Sequence, residues 1–264
     1  MRDNNLLEVL SPVGDMERLY AALDFGADAV YLGGQMFGMR AGSPNFTAET
    51  LKIAADEVHK RGKRIYLTCN TLPRNDEIIH FEQFVKDAVD AGVDALIAND
   101  IGVFSLIKKY APYMEIHVST QAGIVNFVTA NEFYNMGAKR VVLARELSAK
   151  DIKYICENSP IEIEAFIHGA LCMCYSGQCL MSSFIGGRSG NRGKCAQPCR
   201  LPYKFEGKSG NIISPRDMCL VNDISSLQKM GLLTGDTEGR IHPKETVTRA
   251  EGTTVLVRLA QNTS

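Results

Sequence analysis

The sequence predicts an α/β fold of the (β/α)₈, TIM-barrel-like kind. Three observations carry this. Short apolar or β-branched runs alternate with stretches of helical periodicity through the first 170 residues. The runs are almost continuously apolar rather than alternating, as expected of strands covered on both faces. Each run is separated from the next by a helix-length segment, which parallel strands require.

The elements follow in order. LLEVLS (6–11) reads as the first strand. DMERLYAALDFG (15–26) is its helix, with Asp15 as N-cap and Gly26 at the stop. ADAVYLGG (27–34) is the second strand, and TAETLKIAADEVHKRG (47–62) the next helix, capped by Thr47. KRIYLTCN (63–70) is the third strand. DEIIHFEQFVKDAVDAG (76–92) reads as one helix, with Ile79, Phe84, Val85 and Ala88 near helical spacing. VDALIAND (93–100), EIHVST (115–120), AKRVVLARE (138–146) and IEIEAFIHG (161–169) are further strands, with helices at 101–110, 126–137 and 148–158. Seven strands leave an eighth unit of the barrel to be supplied. A doubly wound open sheet is the alternative, weakened because no G-x-G-x-x-G follows the first strand.

At 264 residues the chain can bury one barrel-sized core or two smaller ones. The layout predicted is a barrel body over 1–170, a cysteine-rich region of the same domain over 171–230, and a tail over 231–264. The formal net charge of -1 gives the whole chain no pull toward nucleic acid or acidic membranes, so only local charge can do so. The start, MRDNNLLEVLSP, lacks the apolar stretch of a signal peptide, and no apolar run approaches a membrane span. A cytoplasmic protein is therefore expected, and in a reducing compartment its eight cysteines are thiols or metal ligands rather than disulfides.

In a barrel of this kind chemistry sits at the C-terminal ends of the strands. The residues there are Ser11, Gly33, Asn70, Asn99, Asp100, Ser119, Gln121, Arg145, Glu146 and His168. Polar residues also gather at strand ends simply because loops begin there. Arg145, Glu146 and His168 stand out as groups able to bind or protonate an anionic substrate, and Asn70 and Gln121 are candidates for substrate contact.

The cysteines supply the sharpest local signal. Cys172, Cys174, Cys179, Cys195, Cys199 and Cys219 crowd into residues 172–219, whereas Cys69 and Cys156 fall in a strand and a helix, as ordinary buried thiols do. Soft thiolates suit zinc or a [4Fe–4S] cluster. Cys195 and Cys199 have the close spacing of zinc sites, while the wider gap from Cys172 to Cys179 tilts the reading toward iron–sulfur and keeps zinc as the alternative. Arg188, Arg192, Lys194, Arg200, Lys204 and Lys208 lie along the same stretch. They are candidates for holding a phosphate backbone or a small carboxylate, or they offset the thiolate charge.

The run from Glu164 through Phe166, His168, Gly169, Ala170, Leu171 and Cys172 to Gly177, Cys179, Met181 and Ser182 resembles the signature of the peptidase U32 family. SPVGDMERLYAALDFGADAVYLGG, YLTCNT (66–71), HVSTQ (117–121), RGKCAQPCR (192–200) and SPRDMCLVNDI (214–224) are similar to that family too. The resemblance spans roughly residues 6–230. It implies a bacterial enzyme with one of two activities. One is a collagenase-like protease acting on peptides. The other is oxygen-independent hydroxylation of a tRNA uridine, an rRNA cytidine or a ubiquinone precursor, with prephenate as hydroxyl source in the tRNA branch. It also implies a [4Fe–4S] cluster on Cys172, Cys179, Cys195 and Cys219, with Cys199 as the alternative fourth ligand. The hydrolase branch is chemically thin in this chain, which shows no Ser–His–Asp set and no H-E-x-x-H helix. The last stretch, GLLTGDTEGRIHPKETVTRAEGTTVLVRLAQNTS, instead resembles an S-layer homology motif. That implies a small helical tail opened by a Thr248–Glu251 capping box, able to reach a cell-wall polymer.

Overall fold

Residues 8–39, 44–169, 172 and 174–212 are described by a computed structural model, together with the backbone strands at 218–219 and 256–259. Seven parallel strands alternate with helices and curl into a barrel: β1 (Val9–Pro12), β2 (Ala29–Gly33), β3 (Arg64–Cys69), β4 (Ala95–Ala98), β5 (Glu115–Val118), β6 (Arg140–Val142) and β7 (Glu162–Phe166). Each pairs with its sequence neighbours, so the order runs without a crossover. This is the TIM-barrel-like arrangement expected, and the ring excludes the doubly wound sheet.

The helices stand outside. They are α1 (Met16–Asp24), α2 (Ala48–Lys60), α3 (Asn75–Ile78), α4 (Phe81–Asp90), α5 (Ile101–Tyr110), α6 (Phe127–Asn135) and α7 (Ala149–Asn158). Asp15 caps α1 by accepting from the Arg18 amide, and Thr47 caps α2 in a reciprocal box with Thr50, as expected. Asp100 turns out to cap α5, through a 2.9 Å bond from the Val103 amide. The single helix expected over 76–92 is broken. Residues 79–80 interrupt it, Ile79 is exposed, and α4 restarts at the fully buried Phe81. Glu77 Oε2 accepts from the Arg74 amide at 2.8 Å and closes α3 as a separate turn.

Strand alternation separates two apolar regions. One face of the strands packs against the helices: Val30, Leu32, Ile65, Leu67, Leu96, Ile116, Val118, Val141 and Ile163 meet Leu19, Val58, Val85, Phe104, Ile107 and Ile155. The other face fills the barrel interior with Leu10, Ala29, Tyr66, Ala95, Ile97 and Val142, and with Tyr31 and Phe166 beside them. Cys69 is buried and Cys156 half-buried, and burial pushes both thiols up, Cys156 to about 12, as expected of inert core cysteines.

The ring closes differently from the expected eighth βα unit. Strand β12 (Leu256–Leu259) lies between β1 and β7, antiparallel to both, with Arg258 in register opposite Glu164. These residues were expected in a helical tail. The local sequence VLVRLA is rich in β-branched and apolar residues, which suits a strand with neighbours on both sides. Thr248, Glu251 and the remainder of the S-layer-like stretch lie outside the described residues.

Beyond β7 the cysteine-rich segment covers one end of the barrel. It contains β8 (His168–Gly169), α8 (Met181–Gly186), the hairpin of β9 (Pro202–Phe205) with β10 (Lys208–Asn211), and β11 (Met218–Cys219), which pairs with β8. Among the described residues, no helix is long and apolar enough to cross a membrane.

Candidate active site at the barrel mouth

A cavity of about 410 Å³ opens at the C-terminal ends of the strands, inside the range of about 300–1,000 Å³ usual for small-ligand sites. Its lower wall is barrel interior: Tyr31, Ile97, Val142, Phe166 and Glu164. Above these stand the strand-end residues Thr68, Asn70, Ser119, Thr120 and Gln121. Arg145 and Arg200 join the rim, together with four cysteines, Cys172, Cys179, Cys195 and Cys199.

The strand-end polar groups are fixed by one another. Asn70 Nδ2 donates to Ser119 Oγ over 3.2 Å, while its Oδ1 accepts from the Met39 amide at 3.2 Å. Ser119 Oγ also accepts from the Gln121 amide, and Thr120 Oγ1 donates to the Leu143 carbonyl. Arg145 lies over the Phe166 ring, 5.0 Å from its centroid, and its Nη1 donates to Cys172 Sγ at 3.0 Å.

Close backbone contacts seat the cysteine-rich segment. Gly177 has φ +78°, and a Cβ there would come within 2.0 Å of the Gln121 carbonyl oxygen. Gly193 has φ +76° and would press a Cβ to 2.8 Å from the Met39 backbone. Only glycine combines those dihedrals with that approach. Glu146 anchors the same segment by accepting from the backbone amide and hydroxyl of Ser176. Arg192 ties it to the body through the Leu72 carbonyl and an ion pair with Glu77.

The predicted residues therefore divide. Asn70, Gln121, Arg145 and Arg200 line the cavity, as do Cys172, Cys179, Cys195 and Cys199. Glu146 and Arg192 are engaged in anchoring the covering segment. Arg188 donates to the Lys194 carbonyl, and Lys194 is exposed. Residue His168 sits in β8, in register with Cys219, and its buried Nδ1 has no partner among the described residues. None of Glu146, His168, Arg188, Arg192 and Lys194 lines the cavity.

Beneath the cavity lies a buried charge network absent from the sequence expectations. Arg140 Nη1 donates to Glu8 Oε1 at 2.7 Å and to Glu164 Oε2 at 3.1 Å, and its Nε donates to Glu162 Oε2 at 3.2 Å. Tyr66 donates to Glu8, and its ring packs edge-on against buried His117. Three carboxyls thus share one guanidinium. Burial opposes ionisation of Glu8, but Arg140 and Tyr66 outweigh it and hold Glu8 below the usual range. Glu164 is fully buried, and burial pushes it up to about 7 against the pull of Arg140. Its Oε1 is buried without a partner among the described residues. Strand periodicity was the signal that could have found Glu164, because residues 162, 164 and 166 must share one face of β7.

Among the described residues, no three His, Cys, Asp or Glu side chains are already gathered closely enough to hold a metal ion. The donor set nevertheless suits a thiolate-bound cluster, since four cysteines border one opening. Their mutual influence is visible in the thiols themselves. A hydrogen bond with Cys179, then burial, raises Cys174, and burial followed by the charges of Cys195, Cys172 and Cys179 raises Cys199.

Fold and site together define a β/α-barrel protein with a cysteine-bordered mouth over a buried carboxyl. The model of peptidase family U32 matches residues 14–261, and this chain belongs to that family. The match includes most of the stretch that resembles an S-layer motif. The tRNA hydroxylation protein P1 of Bacillus subtilis is 36% identical over 89% of this chain and 58% of its own length. The 23S rRNA 5-hydroxycytidine C2501 synthase of Escherichia coli is 42% identical over 79% of this chain and 31% of its own length. A collagenase of Porphyromonas gingivalis is 36% identical over 92% of this chain and 63% of its own length. The chain thus spans less than two thirds of each of these relatives. The solved structure of the U32 peptidase Mk0906 superposes with a TM-score of 0.54 at 15% identity, covering 66% of this chain and 73% of that one, a likeness of fold.

Proposed function

We propose that this chain hydroxylates a pyrimidine base in tRNA or rRNA without molecular oxygen, with prephenate as the hydroxyl source where the target is tRNA. The observation that carries the reading is the cavity, in which thiols border a mouth whose walls offer carboxamides, hydroxyls and guanidinium groups. The names of the two RNA-modifying relatives agree with it. Cys172, Cys179, Cys195 and Cys219 would hold a [4Fe–4S] cluster, with Cys199 as the other choice for the fourth position. Such a cluster, when bound, supplies one-electron transfer.

The chain's own residues do the remaining work. Arg145 and Arg200 bring positive charge to the rim, where a dicarboxylate donor needs it. Asn70, Ser119 and Gln121 form a fixed polar wall that orients the substrate. The covering segment carries exposed Phe184 and Phe205, 84% and 77% accessible, beside exposed Lys194, Lys204 and Lys208. Aromatic faces interleaved with lysines suit stacking on unpaired bases and contact with phosphates.

The test is nucleoside mass spectrometry of RNA from cells lacking this protein, complemented with wild type or with Cys172→Ser/Cys179→Ser. Hydroxylated pyrimidine restored by wild type alone supports the reading. RNA unchanged in all three strains, or restored equally by the double variant, sinks it.

A further inference from the structure

We infer that Glu164 reads the base: its Oε1 accepts a hydrogen bond from an N–H on the edge of a pyrimidine turned out of its stack into the barrel. This rests on the RNA-hydroxylation reading above and specifies how that site selects its substrate.

The argument begins with an incomplete set of bonds. Glu164 is 1% exposed and lines the cavity. Its Oε2 is held by Arg140 at 3.1 Å, but its buried Oε1 has no donor among the described residues. A buried carboxyl oxygen without a donor has given up its hydration and gained no bond in exchange. The carboxyl cannot easily turn away to relieve it. Arg140 is fixed on its other sides by Glu8 and Glu162, so Glu164 is braced from below in one orientation. A ligand that brings an N–H to Oε1 completes the set.

The surroundings narrow the ligand. Tyr31, Ile97, Val142 and Phe166 make the lower wall apolar and aromatic, which suits a flat ring. Charge excludes anions there. Glu8, Glu162 and Glu164 are three carboxyls around one guanidinium, so the floor repels a carboxylate, whereas Arg145 and Arg200 attract one at the rim. The two substrates of the proposed reaction are thereby sorted by depth, with the neutral base below and the anionic donor above. Uridine presents N3–H and cytidine its exocyclic amine on the edge that is exposed once the base leaves its stack.

Binding of free nucleosides to the full chain, measured by calorimetry, tests this. The probes are uridine against 3-methyluridine and cytidine against N4,N4-dimethylcytidine. Wild type is expected to bind at least one unmethylated nucleoside at least tenfold more tightly than its methylated partner. In Glu164→Gln, Arg140 retains the amide carbonyl and the cavity faces an NH₂ in place of an acceptor. That variant is expected to lose at least tenfold for the unmethylated probe and to stop discriminating. A merely structural role for Glu164 would not move the methyl discrimination. Equal binding of both partners by wild type, discrimination surviving in Glu164→Gln, or no nucleoside binding at all overturns the proposal. Should Glu164→Gln fail to fold, the methylated pair on wild type still decides. Hydroxylated RNA in the complementation experiment without methyl discrimination here refutes Glu164 alone. Absence of hydroxylation refutes the parent reading whatever the binding shows.

Discussion

Two residues in the barrel respond to acid in opposite directions, and a third sets where loss begins. Burial first, then Arg140, hold His117 down at about 4. It therefore takes up fewer protons folded than unfolded between its ordinary 6.5 and about 4, and its contribution to stability fades as pH falls through that window. Glu164, raised to about 7, does the reverse: its contribution is full below its ordinary 4.5 and is lost as pH rises through 7. Glu115 is lowered to about 2, by the His117 ring first and also by Arg64, and gives way between 4.5 and 2. Wild type is expected to hold nearly level stability from pH 7 to about 4.5 and then lose it steeply. Glu164→Gln removes the opposing partner, so urea midpoints for that variant are expected to decline already between pH 6.5 and 4.5. A level profile in the variant would show that His117 does not titrate as its burial requires. At the rim, Cys172→Ser with Cys179→Ser should yield a colourless protein after anaerobic purification, with iron and sulfide lost together. Iron content equal to wild type would move the ligand set elsewhere. Gly177→Ala meets the Gln121 carbonyl in a left-handed backbone, so cluster loading is expected to fall while the barrel's melting temperature stays within a few degrees.

At the level of elements, the parallel strands and their helices were legible because each obeys one local rule. Strands covered on both faces read as apolar runs, and helices announce themselves by period and cap, as Asp15 and Thr47 do. What escaped was decided by tertiary contact. The break at residues 79–80 leaves no local mark, because helical spacing continues across it and only the inward turn of Phe81 sets α4 apart from α3. Glu164 escaped for a related reason: a carboxyl within an apolar run reads as an exception until the pleat assigns it to the barrel interior. His168, conspicuous in sequence, pairs along β8 and leaves the cavity wall to its neighbours on β7. Energetics follow the same division. Leu67→Ala, at a fully buried position between sheet and helices, is expected to cost about 2–5 kcal/mol in chemical denaturation. Ser148→Ala, which removes the α7 capping box, should cost about 1 kcal/mol. A Leu67→Ala loss no larger than the Ser148→Ala loss would mean that the outer core is loosely packed.

For the whole molecule, charge is nearly balanced, yet the covering segment is basic and aromatic. Affinity for a tRNA stem-loop is therefore expected to fall with rising salt, with a log–log slope of about −0.7 per contacted phosphate where the strand is unpaired. Lys204→Ala/Lys208→Ala should reduce that slope while leaving nucleoside binding in the barrel untouched; an unchanged slope would put the RNA path elsewhere. The antiparallel strand between β1 and β7 has a different consequence, one of timing. Strands β1 to β7 each find their partner next in sequence and can assemble in order as the chain leaves the ribosome. The ring closes only after roughly ninety further residues have been made, since β12 must travel back to lie beside Phe166 and Val9. Until then two bare strand edges face each other across the gap, and the carboxyl at the cavity floor has one flank unwalled. Through that interval the nascent barrel is an open trough, in need of protection from edge-to-edge pairing, and it becomes a closed vessel only when β12 arrives.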